Sequence, residues 1–191
     1  MRLDTKTEQA LIADALEGDS RAFSRLASPH MDVLFRVCRR ATSNDSLAME
    51  AAQESLTLVW ERLSKLREGV SFRSFLLGIA TKKASSVRRS EKRIKARELL
   101  AQKSDTPASP EQLEDAKALE AQMDSFLTTL PKKRRQALIL RMDGDLSYKE
   151  IATQLKSSER SVRVLVHMAL KELRSHLALA GFGSPKKAGT A

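Results

Sequence analysis

The 191-residue sequence has little of several residue types, and each shortage excludes a class of protein. Its single cysteine, Cys38, cannot form an internal disulfide and has no Cys or His near it at zinc-ligand spacing, which excludes a structural zinc site. Seven glycines, five prolines and one tyrosine are too few for a β-sandwich or barrel. No run of eighteen apolar residues or secretory signal pattern is present, so we expect a cytoplasmic protein without membrane insertion.

Charge is abundant, and its distribution along the chain is uneven. Lysine and arginine number 34 against 24 acidic residues, a net charge of +10. Residues 61–103 hold 13 basic and 4 acidic side chains, and residues 126–191 hold 13 and 5, whereas residues 104–125 between them hold 1 and 6. Because lysine and arginine neutralise phosphates in nucleic-acid complexes, the two basic blocks predict two nucleic-acid contacts, with solvated helix faces as the alternative.

The pattern of apolar residues predicts an all-α fold of two small domains. Apolar side chains recur at spacings of three and four, and helix start signals are frequent. The stretch Lys103–Pro110 lacks large apolar residues and holds two prolines, which is typical of a linker. We therefore expect helical domains over 1–98 and 113–180, a flexible linker over 99–112 and a disordered tail over 181–191.

Cap and break signals place the helices of the N-terminal half. Thr5 and Glu8 have the spacing of a capping box at the start of the first helix. Pro29 predicts a kink or break in the next helix. Asn44 and Ser71 are predicted to begin two later helices, the second of which becomes strongly basic at its far end.

The C-terminal half shows the spacing of a helix-turn-helix. Ser147 and Glu150 form a capping box before a short apolar run, and Ser158 is the predicted cap of a final helix. One face of that helix is apolar at a spacing of three and four: Val162, Val166, Ala169 and Leu173. The opposite face carries cations that suit the DNA major groove, with an ordinary amphipathic hairpin as the alternative: Arg160, Arg163, Val164, His167, Lys171 and Arg174.

Several stretches of both halves resemble bacterial extracytoplasmic-function sigma factors. The stretches that resemble the family's C-terminal domain are Leu130–Arg141, Gly144–Ala152, Ser161–Arg163 and Ala169–Arg174. The stretches that resemble the family's N-terminal domain are Phe23–Leu26, Ala48–Glu54 through Trp60, and Phe72–Ala80 followed by Arg88 and Arg89. The resemblance covers about residues 7–178, with both domains in the family's order.

The resemblance implies a non-catalytic subunit that directs core RNA polymerase to specific promoters and initiates transcription. It implies a four-helix domain like sigma region 2 and a helix-turn-helix domain like sigma region 4, with no cofactor and no metal. The polymerase partners would be the clamp helices of the largest subunit and the flap region. The positions that match the clamp-binding motif are Glu50, Gln53 and Glu54, and their spacing puts them on one helix face.

The same resemblance assigns two sets of promoter contacts. At the minus-10 element, cations would bind the DNA backbone and an aromatic side chain would stack on an unstacked base. Core packing is the alternative role for Phe72 and Phe75. This set comprises Phe75, Lys82, Lys83, Arg88 and Arg89. The minus-35 element would meet the last helix at Ser158, Arg160, Ser161, Arg163, Val164, His167 and Lys171.

Some functional positions depart from the family's usual residues. Many members have an aromatic residue near Leu66 and asparagine at Lys82, so we expect phosphate attraction in place of the usual base pocket. In the clamp-binding motif, small Ala51 and Ala52 replace larger apolar residues, which predicts a smaller docking surface. In the last helix, Val164, Leu165 and Met168 stand where family members often have Ser, Arg and Arg. This difference predicts a minus-35 sequence unlike the family's usual one.

Two hypotheses follow from this reading. The first is a sigma factor, for which the resemblance also implies an anti-sigma factor of unknown identity as a partner. The second is a helix-turn-helix DNA-binding regulator on a sigma-like scaffold that does not open promoters, and the departures favour it. An enzyme has no support, because His30, His167 and His176 are scattered and no glycine-rich phosphate loop appears. Cys38 lies in an apolar stretch and is interpreted as core.

Overall fold

The computed structural model describes residues 3–101 and 115–182, and the regular structure in these ranges is entirely helical. The N-terminal half holds α1 (Thr5–Leu16), α2 (Ser20–Ala27), α3 (Met31–Thr42), α4 (Asp45–Glu61) and α5 (Phe72–Ala101). The C-terminal half holds α6 (Asp115–Thr129), α7 (Lys132–Met142), α8 (Tyr148–Leu155) and α9 (Glu159–Leu179). The predicted all-α class is confirmed. The predicted linker starts three residues too early, because residues 99–101 belong to the last turn of α5. The rest of the predicted linker, residues 102–112, and the predicted tail from residue 183 onward lie outside the described residues.

Side-chain caps begin the helices at most of the predicted positions. Asn44 Oδ1 accepts a hydrogen bond from the Leu47 amide at 2.9 Å, which confirms the predicted cap of α4. The prediction for α1 was wrong: Asp4 is its cap, and one carboxylate oxygen accepts from the amides of Lys6 and Thr7 at 3.0 Å each. A carboxylate caps well because its charge also interacts favourably with the positive end of the helix dipole.

The break predicted at Pro29 is a single 3-10 turn, Ser28–His30, that joins α2 to α3. Proline suits this position because its fixed φ fits the first turn of a helix, where an amide hydrogen has no partner within the helix. The turn carries His30 into the core, where its ring lies 5.9 Å from the ring of Phe72. Pro29 therefore redirects the chain between two helices that share one core.

The N-terminal core is built around α3, α4 and α5. Phe72, at the start of α5, is fully buried, and its ring meets that of Phe23 edge to face at 6.1 Å. The inward face of α4 is small, since Ala48, Ala51 and Ser55 are fully buried. Small side chains let helix backbones approach closely, so this face fits α4 tightly against its neighbours.

The C-terminal core confirms the predicted inward stripe of the last helix. Val162, Val166, Ala169 and Leu173 are all buried. They pack among apolar side chains of the other helices of this half, all buried: Phe126, Leu127, Leu138, Ile139, Leu140, Ile151 and Leu155. The stripe leaves the opposite face of α9 exposed.

The two halves also pack against each other. Helix α5 contacts α7 and α8, and α3 contacts α7. A Cβ added at Gly144, after α7, would lie 3.3 Å from Cδ1 of Leu77 on α5, so the backbone of one half lies against a side chain of the other. Sequence patterns predicted two domains on a tether and did not indicate this contact, because it joins helices that are far apart in the chain.

Truncation of Phe72 tests the N-terminal core. Replacing Phe72 with alanine removes a fully buried ring, and we expect the free energy of unfolding to fall by about 3–5 kcal/mol. Met49→Ala, at a side chain that is 52% exposed, should change the free energy of unfolding by less than about 0.5 kcal/mol. Urea denaturation followed by circular dichroism measures both, and equal effects would contradict the described core.

Candidate nucleic-acid and partner interfaces

The outward face of α4 combines polar and apolar side chains in one stripe. Glu50 and Gln53 are exposed, as the motif predicted, and Glu54 is half-buried. Met49 and Trp60 are exposed on the same face, and the Trp60 ring meets Phe23 edge to face at 5.1 Å. Sequence reasoning did not single out these two apolar residues, although their spacing from Gln53 places them on its face. The stripe suits a partner helix with both polar and apolar contacts.

The small residues of the clamp-binding motif have a different role from the one predicted. Ala51 and Ala52 are buried in the protein's own core and are not on the outward stripe. The inference that they reduce the docking surface was therefore wrong. In a helix, residues three or four positions apart share one face. The clamp-binding motif is longer than that spacing, so it contains residues of both the inward and the outward face of α4.

An ion pair joins the predicted polymerase contacts to the predicted minus-10 contacts. Lys83 Nζ, on α5, lies 2.9 Å from Glu54 Oε2, on α4. Both side chains are partly exposed, at 29% and 41%. The pair holds the outward stripe of α4 next to the basic part of α5, so the two candidate surfaces are adjacent.

The remaining minus-10 candidates occupy three different environments. Lys82 and Arg89 are exposed, and Phe75 is half-buried. Arg88 is buried, with 7% exposure, and its Nη1 donates to the Ala41 carbonyl at 3.4 Å. Burial lowers the pKa of the Arg88 guanidinium, while the Asp124 carboxylate opposes that shift. The structure therefore does not bring Arg88 to the surface, and its contact with DNA stays a prediction.

Phe75 and Lys82 line a cavity of about 560 Å³ that is rich in cations. Among the described residues no carboxylate lines it, and its cations come from both halves of the chain: Lys65, Arg67, Lys82 and Lys156. Partial burial and the charges of Lys156 and Lys132 lower the pKa of Lys82. The cavity is therefore a place where an anion would be bound favourably.

The outward face of α9 carries the predicted minus-35 residues together. Ser158, Arg160, Ser161, Arg163, Val164, His167 and Lys171 are all exposed. Ser158 Oγ accepts from the Ser161 amide at 3.1 Å, so it caps the helix as predicted. Val164 is 51% exposed and Met168 41%, which leaves two apolar side chains among the cations.

Two residues that sequence reasoning missed hold Arg163 in place. Its Nη2 lies 2.6 Å from Glu159 Oε1, one helical turn earlier, and its guanidinium lies 4.7 Å from the centre of the Tyr148 ring. Arg141 approaches the same ring at 5.0 Å. The i,i+4 spacing of Glu159 and Arg163 is visible in the sequence, but the position of Tyr148 depends on how α8 crosses α9.

A set of arginines on α3 meets two carboxylates of the C-terminal half. Arg40 Nε lies 3.4 Å from Asp143 Oδ1, and Arg39 Nη1 lies 3.1 Å from Asp124 Oδ2. Arg36 Nη2 donates to the Asp143 carbonyl at 3.3 Å. Burial raises the pKa of the Asp143 carboxyl even though Arg40 and Arg36 oppose the shift. Desolvation thus exceeds attraction at Asp143, whereas at Arg39 desolvation is outweighed by the carboxylates of Asp124 and Asp45, which raise the pKa of the guanidinium.

Comparison with known proteins identifies a family that matches both halves of the chain. The family models for Sigma-70 region 2 and Sigma-70, region 4 match residues 26–94 and 120–173. The ECF RNA polymerase sigma factor SigD of Mycobacterium tuberculosis is 30% identical over 192 residues, covering 95% of this chain and 89% of the relative. The chain belongs to the ECF RNA polymerase sigma factor family. The RNA polymerase sigma factor NccH of Alcaligenes xylosoxydans xylosoxydans is 27% identical, covering 91% of this chain and 96% of that protein.

Solved structures show the same fold. CnrH, solved in complex with the cytosolic domain of CnrY, matches with a TM-score of 0.68 at 21% identity, over 91% of this chain and 98% of that chain. The sigma factor RpoE from Bartonella quintana, solved in complex with the anti-sigma factor NepR, matches with a TM-score of 0.59 at 18% identity, over 82% of this chain and 97% of that one.

As an ECF sigma factor, this protein directs core RNA polymerase to promoters and initiates transcription. Its family consists of specificity subunits and not of enzymes. The alternative of a regulator without promoter-opening activity is not favoured by these comparisons. Within residues 3–101 and 115–182, no helix is long and apolar enough to cross a membrane, and no cluster of His, Cys, Asp and Glu could hold a metal ion.

Cys38 is a buried core residue, as predicted, and this makes its reactivity testable. Burial raises the pKa of its thiol from 9.0 to about 12. Between pH 9 and 12 the folded chain keeps the thiol proton, whereas the unfolded chain loses it. The thiol's contribution to the free energy of unfolding is therefore complete below pH 9 and declines between pH 9 and 12. We expect a thiol-specific disulfide reagent to react with Cys38 at pH 8 only as fast as the protein unfolds, and rapidly in denaturant. Rapid reaction of the native protein would contradict the burial.

Proposed function

We propose that this sigma factor contacts its partners through three surfaces: the outward stripe of α4, the basic face of α5 and the outward face of α9. The observation that carries the proposal is the exposure of the α9 face, where the predicted minus-35 residues lie together opposite the buried stripe. A helix with cations on one side and a core on the other can lie in a major groove without unfolding.

The N-terminal part of α9 would read the minus-35 element. Arg163 is aimed by Glu159 and Tyr148, and an arginine in that setting can donate two hydrogen bonds to a guanine edge. Val164 would contact a thymine methyl group. Ser158, Arg160 and Ser161 lie at the helix start, where amides and cations attract phosphates. His167 and Lys171, further along the helix, would contact the DNA backbone.

The face of α5 would hold the minus-10 element. Lys82, Lys83 and Arg89 supply cations, and Phe75 supplies part of a ring face on which a base can stack. The buried Arg88 would reach phosphates only after a rearrangement of its contact with Ala41. With Lys82 lining the cavity beside Phe75, the backbone and one base would be held together.

The outward stripe of α4 would bind the clamp helices of the polymerase, and the C-terminal half would meet the flap region. Glu50 and Gln53 offer an acidic and an amide contact, and Met49 and Trp60 add apolar area. Interfaces gain affinity from aromatic and apolar anchors surrounded by polar groups. Glu54 would act through its pair with Lys83 as well as directly.

We further propose domain limits of 1–98 and 113–180, a linker over 99–112 and a tail over 181–191. The two matched family regions fall inside the proposed domains. An anti-sigma factor is a proposed partner, because CnrH was solved with CnrY and RpoE with the anti-sigma factor NepR. The protein would act in the cytoplasm, where promoters and polymerase are, and would catalyse no reaction itself.

Transcription from a supercoiled genomic library with purified core polymerase tests the proposed activity. We expect transcripts that begin at a defined set of promoters and depend on the added protein. Binding to duplex DNA without association with polymerase would instead support the regulator hypothesis.

Substitution of Gln53 tests the polymerase surface. Gln53→Ala should weaken binding to core polymerase by about 1–2 kcal/mol, roughly five- to thirtyfold in affinity, because a polar contact at the interface is lost. Gln9→Ala, at an exposed position of α1, is the matched control and should change nothing. Affinity is measured by pull-down and fluorescence titration, with circular dichroism to check the fold. An unchanged affinity for Gln53→Ala would remove this contact.

Two substitutions on α9 separate base contact from phosphate contact. Arg163→Ala should cost about 1–3 kcal/mol on the preferred promoter and relax base preference at one position, since a bidentate guanine contact is lost. Lys171→Ala should weaken binding to all sequences and lower the salt slope by about one. Binding to a promoter and its point variants at several salt concentrations measures both, and equal effects on all sequences from the two changes would refute the proposed orientation.

A further inference from the structure

The cavity beside Phe75, which we call the basic cavity, gathers cations without counterions. Its wall has four basic side chains and, within the part of the chain that the structure describes, no carboxylate: Lys65, Arg67, Lys82 and Lys156. None of the four forms a salt bridge with another described residue. Like charges repel one another in this arrangement, so a bound anion would stabilise the wall.

Lys82 shows the effect of this crowding on a single group. Burial lowers the pKa of its ammonium group, and the charges of Lys156 and Lys132 lower that pKa further. These lysines lie on α5, after α8 and at the start of α7, so only the folded chain brings them together. A bound anion would favour the charged form of Lys82, and protonation of Lys82 and anion binding would therefore support each other.

Lys156 has a backbone conformation that glycine would adopt with less strain. It follows α8 with φ 48° and ψ 59°, in the left-handed region, and its amide donates to the carbonyls of Ala152 and Thr153. Helices that end in this way usually carry glycine there, because a Cβ is disfavoured in the left-handed region. Glycine would close α8 equally well, so what the lysine adds is a cation on the wall of the basic cavity.

The rest of the wall indicates which kind of anion fits. Phe75 puts an aromatic ring beside the cations, and Thr153 and Ser157 add hydroxyl groups. The volume of about 560 Å³ lies in the range of small-molecule sites. Four cations exceed the charge of one phosphate group, which is about −1.5 to −2 at neutral pH. A ligand that uses the whole wall therefore has several phosphates and a flat ring that stacks on an aromatic side chain.

We propose that the basic cavity binds a free nucleoside polyphosphate, with the phosphates among the four cations and the base against Phe75. Phe75 and Lys82 also belong to the proposed minus-10 surface. A bound nucleotide excludes a DNA strand from both residues, and this consequence rests on their proposed role. The nucleotide concentration then sets the fraction of the sigma factor that binds the minus-10 element, which makes the cavity a regulatory site.

Titration calorimetry with the full-length protein tests the ligand class. ATP and GTP carry phosphates and a base, tripolyphosphate carries phosphates alone, and the nucleosides carry the base alone. We expect a nucleoside triphosphate to bind, tripolyphosphate to bind about tenfold more weakly because stacking is lost, and the nucleosides to bind weakest. Added salt should weaken the binding of both phosphate compounds. Equal affinities for the triphosphates and tripolyphosphate would overturn the proposal, as would no triphosphate binding at about 0.15 M salt.

Lys156→Gly separates ligand binding from a structural role of the lysine. Glycine accepts the left-handed backbone and removes the cation, so both the triphosphates and tripolyphosphate should bind about tenfold more weakly, with no loss of stability to urea. Lys149→Ala, at an exposed position of α8 outside the cavity wall, removes the same charge and is the matched control. Its affinities should stay within about twofold of the parent. Equal losses for the two variants, or no loss for Lys156→Gly, would overturn the proposal.

Phe75→Leu tests the position of the base, because it keeps an apolar side chain and removes the ring. We expect the triphosphates to bind about fivefold more weakly and tripolyphosphate to bind as in the parent. Phe35→Leu, at another half-buried phenylalanine that lies outside the cavity wall, is the control and should change neither affinity. Unchanged triphosphate binding in Phe75→Leu, with the fold checked by circular dichroism, would overturn the proposal.

Competition separates the nucleotide site from the proposed minus-10 role. Fluorescence anisotropy follows a labelled random-sequence single-stranded DNA oligonucleotide, and we expect saturating GTP to displace it from the parent protein but not from Lys156→Gly at the same GTP concentration. DNA binding that depends on Phe75 and Lys82 without any binding of a mononucleotide would overturn the nucleotide site and leave the minus-10 assignment intact. GTP that binds without displacing DNA would contradict the minus-10 assignment and support a nucleotide site separate from it.

Discussion

Helix α5 is packed on two sides, and the rest of the structure depends on this. Phe72, Leu76 and Ala80 face the N-terminal core and are fully buried. Ser74 and Gly78, on another face, meet α8 of the C-terminal half. One helix thus belongs to the core of one domain and to the contact between domains. Both contacts position its outward residues, so any movement of the C-terminal half changes which residues of α5 are exposed.

Charges act in both directions at this contact. Arginines of α3 meet Asp124 and Asp143, but Lys82 lies near Lys156 and Lys132. The attraction between the arginines and the two carboxylates is partly cancelled by desolvation. The repulsion between Lys82 and the lysines near it would be relieved by a bound anion. The charges across this contact therefore favour approach of the two halves at the arginines of α3 and oppose it at Lys82.

Local patterns predicted the parts of the molecule that depend on neighbouring residues in the chain. The capping box at Ser147 and Glu150, the caps at Asn44 and Ser158 and the inward stripe of α9 are confirmed, because caps and helix faces are decided within one or two turns. The exposed face of α9 follows from the same periodicity. The prediction for Ala51 and Ala52 was wrong because the clamp-binding motif spans both the inward and the outward face of α4, and these two residues lie on the inward one.

The sequence by itself determined the helices, their order, the two basic regions and the family. Only the tertiary structure decided that Arg88 is buried against the Ala41 carbonyl, that Tyr148 supports Arg163, and that Gly78 admits Gln154 to the surface of α5. These contacts join residues 15 to 76 positions apart and involve single polar or small side chains. Such contacts leave no periodic pattern, since they depend on where whole helices cross and not on the spacing within any one of them.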